Sequence, residues 1–146
     1  MGAMGTNRAV FESVAYSARC QDCGGRAQWW GVQVLEGGRL RWDTECSCTA
    51  CGFTLAVCGG ELPAGLRSRM LAEHGSARLR VEASAPNAVV MRVLRAVLGV
   101  GLGEVRAVLS GVLAGTHSGT LPEMELLARR LRAAGIDAVA GRPSLP

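Results

Sequence analysis

Four of the six cysteines are spaced as metal ligands are: Cys20-Gln-Asp-Cys23-Gly24 and Cys48-Thr-Ala-Cys51-Gly52. Two residues between thiols make a tight turn that points both sulfurs at one ion, and the glycine that follows supplies the positive φ such a turn requires. Two knuckles of this kind complete a four-thiolate tetrahedral site for one structural zinc, with no open position at which a reaction could occur. The competing reading is that these thiols are small buried hydrophobes or a redox pair. Cys46 and Cys58 are read as core residues on neighbouring strands, with an alternative ligand role or a disulfide formed in vitro left open. Cys46 shares a strand face with Cys48 if the strand runs on, so exchange between the two as ligands stays open as well.

Other chemistry is scarce. All 16 basic residues are arginine, which removes phosphate-loop NTPases, Schiff-base enzymes and pyridoxal enzymes, since each needs a lysine amine. Gly99-x-Gly101-x-Gly103 follows a helix pattern rather than a strand, so it is no dinucleotide cradle. His74 falls in the last turn of an expected helix and His117 in a turn, and neither belongs to a motif that would make it a base. No enzymatic activity is expected.

The knuckles need a scaffold. Residues 28–35 and 39–46 read as two strands around the turn Glu36-Gly37-Gly38, and residues 53–58 as a third. Knuckle, hairpin, knuckle and strand is the plan of the zinc ribbon, which this segment resembles. Trp29 and Trp30 are adjacent on a strand and must face opposite ways, one packed inward and the other outside as a candidate interface anchor or beneath the following helix.

Composition divides the chain of 146 residues. All six cysteines and all six aromatics precede residue 61; residues 1–75 carry seven arginines and seven acids, while residues 76–146 carry nine and five and so hold the whole net charge of +4. With 49% hydrophobic residues, 19% charged and a mean hydropathy of +0.21, the composition is globular. No apolar run reaches the roughly 18 residues of a membrane span, and no secretion signal is visible, so a cytoplasmic protein is expected. The expected divisions are residues 1–15, an expression-vector remnant and tail; 16–60, the ribbon; 61–75, a linking helix; 76–142, a second domain; and 143–146, a tail.

In the second domain, Leu79 and Val81 alternate with Arg78, Arg80 and Glu82 as in a half-buried strand. One helix follows with Val90, Met91, Leu94, Val97 and Leu98 apolar. The glycine break comes next, then a second helix with Val105, Val108, Leu109 and Val112 inward. A capping box, Thr120-Leu-Pro-Glu123, opens a third with Leu127, Leu131 and Ala134 inward, and Gly135 stops it. Closed by a strand at residues 136–140, the order is β-α-α-(β)-α-β. The chain is thus α+β, a small antiparallel ribbon followed by a compact domain expected to close its own core.

Val90-Met-Arg-Val-Leu-Arg95, Gly99-Val-Gly-Leu102 with Glu104 and Arg106, and Leu127 through Ala-Gly135 resemble the C-terminal domain of the bacterial ribosomal stalk protein over about 65 residues. In that family the domain recruits translational GTPases through a basic patch and apolar residues on the two helices flanking the break. The resemblance implies Arg92, Arg95, Val100, Leu102, Glu104 and Arg106 as the matching partner-binding positions. It also has departures: Gly103 and Ala107 replace a lysine and an acid of the family, and a zinc ribbon stands where the family has a dimerising segment and hinge. The combination is similar to small actinobacterial proteins. A zinc-containing protein-binding module is therefore expected, either an immunity or antitoxin-type protein that binds a toxin or an adaptor that binds a translation factor. The alternative is a nucleic-acid-binding regulator, against which the basic half lacks aromatics for stacking.

Overall fold

The computed structural model describes residues 8–143. The chain runs β1 (Val10–Arg19), β2 (Arg26–Glu36), β3 (Arg39–Ser47), β4 (Thr54–Gly60), α1 (Ala64–His74), β5 (Ala77–Val81), α2 (Asn87–Leu98), α3 (Leu102–Ala114), β6 (Ser118–Gly119), α4 (Leu121–Ala133) and β7 (Ala138–Gly141). The first four strands form an antiparallel sheet in sequence order, and the last three form a second in the order β6-β5-β7. This is the expected α+β class, with the expected β-α-α-β-α-β order in the second half.

The first strand departs from expectation. Residues 10–15, assigned to the N-terminal tail, are the first part of β1, which pairs with β2 along its whole length from Val10↔Leu35 to Arg19↔Arg26. The ribbon sheet therefore has four strands, and the first knuckle hangs between two long ones. The expected tail residues 1–7 and 144–146 lie outside the described residues.

Alternation along the strands decides what each face of the ribbon sheet does. Val14 and Trp42 are buried on one face with Met70 of α1, and Tyr16, Leu62 and Leu66 pack around them. The linking helix thus lies on the ribbon. His74 ends it, and its ring Nε2 donates to the Ser13 carbonyl of β1 at 2.7 Å, a tie between helix and strand rather than chemistry. Gly31 is what lets the Trp42 ring lie flat on this face, because a Cβ there would stand 2.1 Å from Trp42 Cζ2 and Cη2. We expect Gly31→Ala to cost about 1–3 kcal/mol through overpacking, measurable by urea unfolding; wild-type stability would show that the ring is not seated on Gly31.

The second half has its own core, in which Leu79, Val90, Leu94, Val105, Leu127 and Leu131 are among the buried side chains. Ala134, expected inward, is exposed at the end of α4, where the chain already turns toward Gly135 with φ +84°. Gly99, in the left-handed conformation at φ 66°, ends α2, and α3 leaves at a bend of 113°. Among the described residues, no single helix is long and apolar enough to cross a membrane.

The halves meet through α4, whose capping box forms as the sequence predicts: Thr120 Oγ1 accepts from the Glu123 N–H at 3.3 Å, and Glu123 Oε1 accepts from the Thr120 N–H at 3.1 Å. The same residues reach into the ribbon. Thr120, fully buried, donates its hydroxyl to Gln33 Oε1 at 2.5 Å, and Gln33 Nε2 donates to Glu123 Oε2 at 3.3 Å. Glu12 of β1 accepts from the Leu121 N–H at 2.8 Å and pairs with Arg142. Arg67 of α1 donates two guanidinium nitrogens to Glu123 at 2.7 and 2.9 Å. Each buried polar group here finds its partner on the other half.

Candidate metal centre

Both knuckles fold alike. In the first, the Gly24 N–H donates to the Cys20 carbonyl at 3.0 Å and the Cys20 N–H to the Gly25 carbonyl at 2.6 Å; in the second, the Gly52 N–H donates to the Cys48 carbonyl and the Cys48 N–H to the Phe53 carbonyl, each at 2.8 Å. Gly24 and Gly52 have φ of +75° and +79°, as the spacing predicts. β1 and β2 carry the first turn, β3 and β4 the second, and β2 pairs with β3 down to Gln28↔Ser47. That pairing brings the two turns together at one end of the sheet.

The result is one site. Cys20, Cys23, Cys48 and Cys51 place their sulfurs within 4.8 Å of one another, with Cys20 to Cys51 and Cys23 to Cys48 both at 3.7 Å. A tetrahedral ion with metal–sulfur bonds of about 2.3 Å sets its sulfurs about 3.8 Å apart, so the four thiols fit a metal centre. Each knuckle contributes one buried cysteine, Cys20 or Cys48, and one exposed cysteine, Cys23 or Cys51.

Electrostatics make the same point. The Cys20 thiol is held down to about 7, foremost by the Cys23 N–H, although burial opposes this. Cys51 receives an N–H from Phe53, yet burial and the three neighbouring thiols push it up to about 12. Four thiols at this distance cannot all ionise without a cation among them, and a cation would favour every thiolate. The donor set suits a soft or borderline tetrahedral ion and leaves no ligand position open for a substrate.

Cys46 is buried against Cys20, Ala27 and Cys48, on the inner sheet face opposite Trp29 and Leu55. Burial and the charges of Cys20 and Cys48 raise its pKa. It packs behind the ligands and is not one of the four that converge. Cys58, expected in the core, is instead exposed, because β4 is an edge strand with almost every residue open; it too stands apart from the four.

The tryptophans part as expected. Trp29 turns inward and stacks on Tyr16, with ring centroids 6.1 Å apart, while Trp30 is 46% exposed on the outer face. The side chain beneath the linking helix is Trp42, which sequence reasoning did not single out.

On the second half, Arg92, Arg95, Val100 and Leu102 come together along a shallow groove of about 650 Å³ with Met91 and Ala96. Leu102 opens α3 and is 56% exposed. Glu104 and Arg106 are exposed on the same helix but do not line the groove, and neither tryptophan does. His117 is half-buried, and burial lowers its pKa. A scan of protein-family models and searches of curated proteins and of solved structures found no match for this chain.

Proposed function

We propose that this chain is a non-enzymatic protein-binding module in which a zinc ion holds the ribbon and the face at the α2–α3 break receives a partner. Zinc is the ion of choice for four thiolates in two tight knuckles, where it serves architecture and not reaction. A reducing compartment such as the cytoplasm keeps those thiols available to it.

The observation that carries the binding reading is the exposure of Leu102 at the mouth of a groove rimmed by Arg92 and Arg95. A leucine that could have been buried is held out by the first turn of α3, beside Val100, with cationic side chains around it. Such a surface suits an acidic, partly apolar segment: the arginines steer and orient it, and the apolar side chains supply the desolvation energy. The likeness to the stalk domain makes a translational GTPase the first partner to test and a toxin the second.

The test is Leu102→Glu. A glutamate in the first turn of a helix is favoured by the helix dipole, so the domain should keep its unfolding temperature. Affinity for a purified translational GTPase from the same cell should fall by on the order of 1–3 kcal/mol. Unchanged affinity in a folded variant would remove this face as the interface and leave Trp30 as the better anchor.

A further inference from the structure

On the open face of the second sheet, positive charge stands with no acid opposite it among the described residues. Along β5, Ala77 and Leu79 are buried, so Arg78 and Arg80 both project from the other face. Across the ladder, Arg78 stands opposite Ser118 of β6 and Gly141 of β7, and Arg80 opposite Val139. None of these ladder partners is an acid. Among the described residues, the side-chain ion pairs of the second half use Arg129, Arg132 and Arg142 and leave these two free. Like charges two residues apart on one strand face are separated by about 7 Å between Cα atoms, close enough to build a common potential.

That potential lies over a concavity. Arg78, Arg80 and Arg142, with Gly115, Val139, Gly141 and Pro143, line a cleft of about 220 Å³. Among the described residues its lining contains no carboxylate; Glu82 and Asp137, which flank β5 and β7 at the far end, are not part of it. Arg142 spends its guanidinium on Glu12 and the Gly75 carbonyl, so the free charge of the cleft is that of Arg78 and Arg80. Gly115 and Gly141 have open space where a Cβ would stand, which leaves the backbone floor accessible.

We propose that this cleft is a phosphate-binding site. Two guanidiniums, each a planar fork of donors, match the charge and the several acceptor oxygens of a phosphate better than they match one carboxylate. The phosphate group can arrive as a free anion or within a single-stranded RNA backbone. In the second case recognition is independent of sequence, since no aromatic side chain lines the cleft to stack on a base. α3 and α4 cover the other face of β5, so a ligand here does not compete with a partner at Leu102, and the site stands or falls independently of that reading.

The experiment is an amide NMR titration of the full chain, with sodium phosphate replacing sodium chloride at constant ionic strength and then with a short oligouridine. Saturable shifts are expected at Arg78, Arg80, Gly115 and Gly141, and they should vanish in Arg78→Glu/Arg80→Glu while the unfolding temperature stays put. Arg78→Gln/Arg80→Gln is the second variant should the reversed pair disturb the sheet. If RNA is the source, oligouridine binds more tightly than phosphate, and the double variant flattens the log–log salt dependence by about 1.4, two contacts at about 0.7 each. If the free anion is the source, phosphate saturates the cleft and oligouridine gains nothing. Absence of saturable shifts with both ligands, or shifts that survive in the folded double variant, would overturn the proposal.

Discussion

Replacing Cys48 by serine should empty the metal centre and unfold the knuckle end of the ribbon. Cys48 is 1% exposed, and its sulfur stands 3.7 Å from that of Cys23, so a serine oxygen would leave the ion three sulfurs and a weak donor in a buried position. The knuckle end of the sheet has little else to hold it: Cys20, Ala27, Cys46 and Cys48 are its buried residues, with Trp29, Phe53 and Leu55 around them. A cluster so small does not hold the knuckle end of the sheet by itself, while Val14, Trp42 and Met70 pack elsewhere on the ribbon. Structural zinc contributes an apparent ~10–16 kcal/mol in zinc-finger peptides, as much as the ~5–15 kcal/mol total stability of a typical domain. Cys51→Ser should act alike, whereas Cys58→Ser should keep the metal, because Cys58 lies on β4 away from the cluster. Metal content by mass spectrometry and far-ultraviolet circular dichroism read both effects; a Cys48→Ser protein that retains its metal and its strands would refute the ligand assignment.

The second large effect is expected at the junction of the halves. Glu123 caps α4 and at once accepts from Arg67, Gln33 and the Thr120 N–H, so Glu123→Ala strips a partly buried guanidinium and two polar groups of their acceptor. A loss of about 2 kcal/mol is expected, in the range for hydrogen bonds to a charged group, since the 40% exposure of the Arg67 side chain keeps this ion pair well below a buried one. Glu123→Gln should cost less, since glutamine also closes a capping box. Burial alone would raise the Glu123 pKa, but Arg67 and the Thr120 N–H outweigh it and hold the carboxyl below the ordinary carboxylate range. A lowered folded-state pKa means that this stabilisation is complete above the ordinary range and is lost as pH falls through the lowered value. Urea unfolding across that acidic range should show the loss in the wild type and a flatter profile in Glu123→Gln. Equal profiles would mean that Glu123 does not hold the halves together.

What could be read from the sequence follows from the range of each interaction. The knuckles were legible because ligand spacing and the glycine that permits positive φ are local. So were α2, α3 and the capping box of α4, where apolar periodicity and cap chemistry agree. β1 was not, and the reason lies in its own alternation: the inward position 12 is a glutamate and the outward position 11 a phenylalanine, 64% exposed. Over Phe11 and Glu12 the strand reads out of phase with its neighbours. Glu12 is inward because it meets the Leu121 N–H and Arg142, more than 100 residues away in sequence. The contact of Gln33 with Thr120 spans 87 positions and leaves no periodic trace. Trp42 over Gly31 is likewise a feature of strand register. At the groove, Arg92, Arg95, Val100 and Leu102 come together across the α2–α3 break, while Glu104 and Arg106 are exposed on α3 outside it.

Cys20, Cys23, Cys48 and Cys51 converge on one point, and the proposed role of a metal there is to hold the ribbon's surface in place. X-ray absorption at the metal edge of the purified protein tests it most directly, because it counts the ligands and identifies the ion at once. The expected result is one zinc with four sulfurs at about 2.3 Å and no lighter ligand. A nitrogen or oxygen in the first coordination sphere, or a redox-active metal in place of zinc, would contradict it.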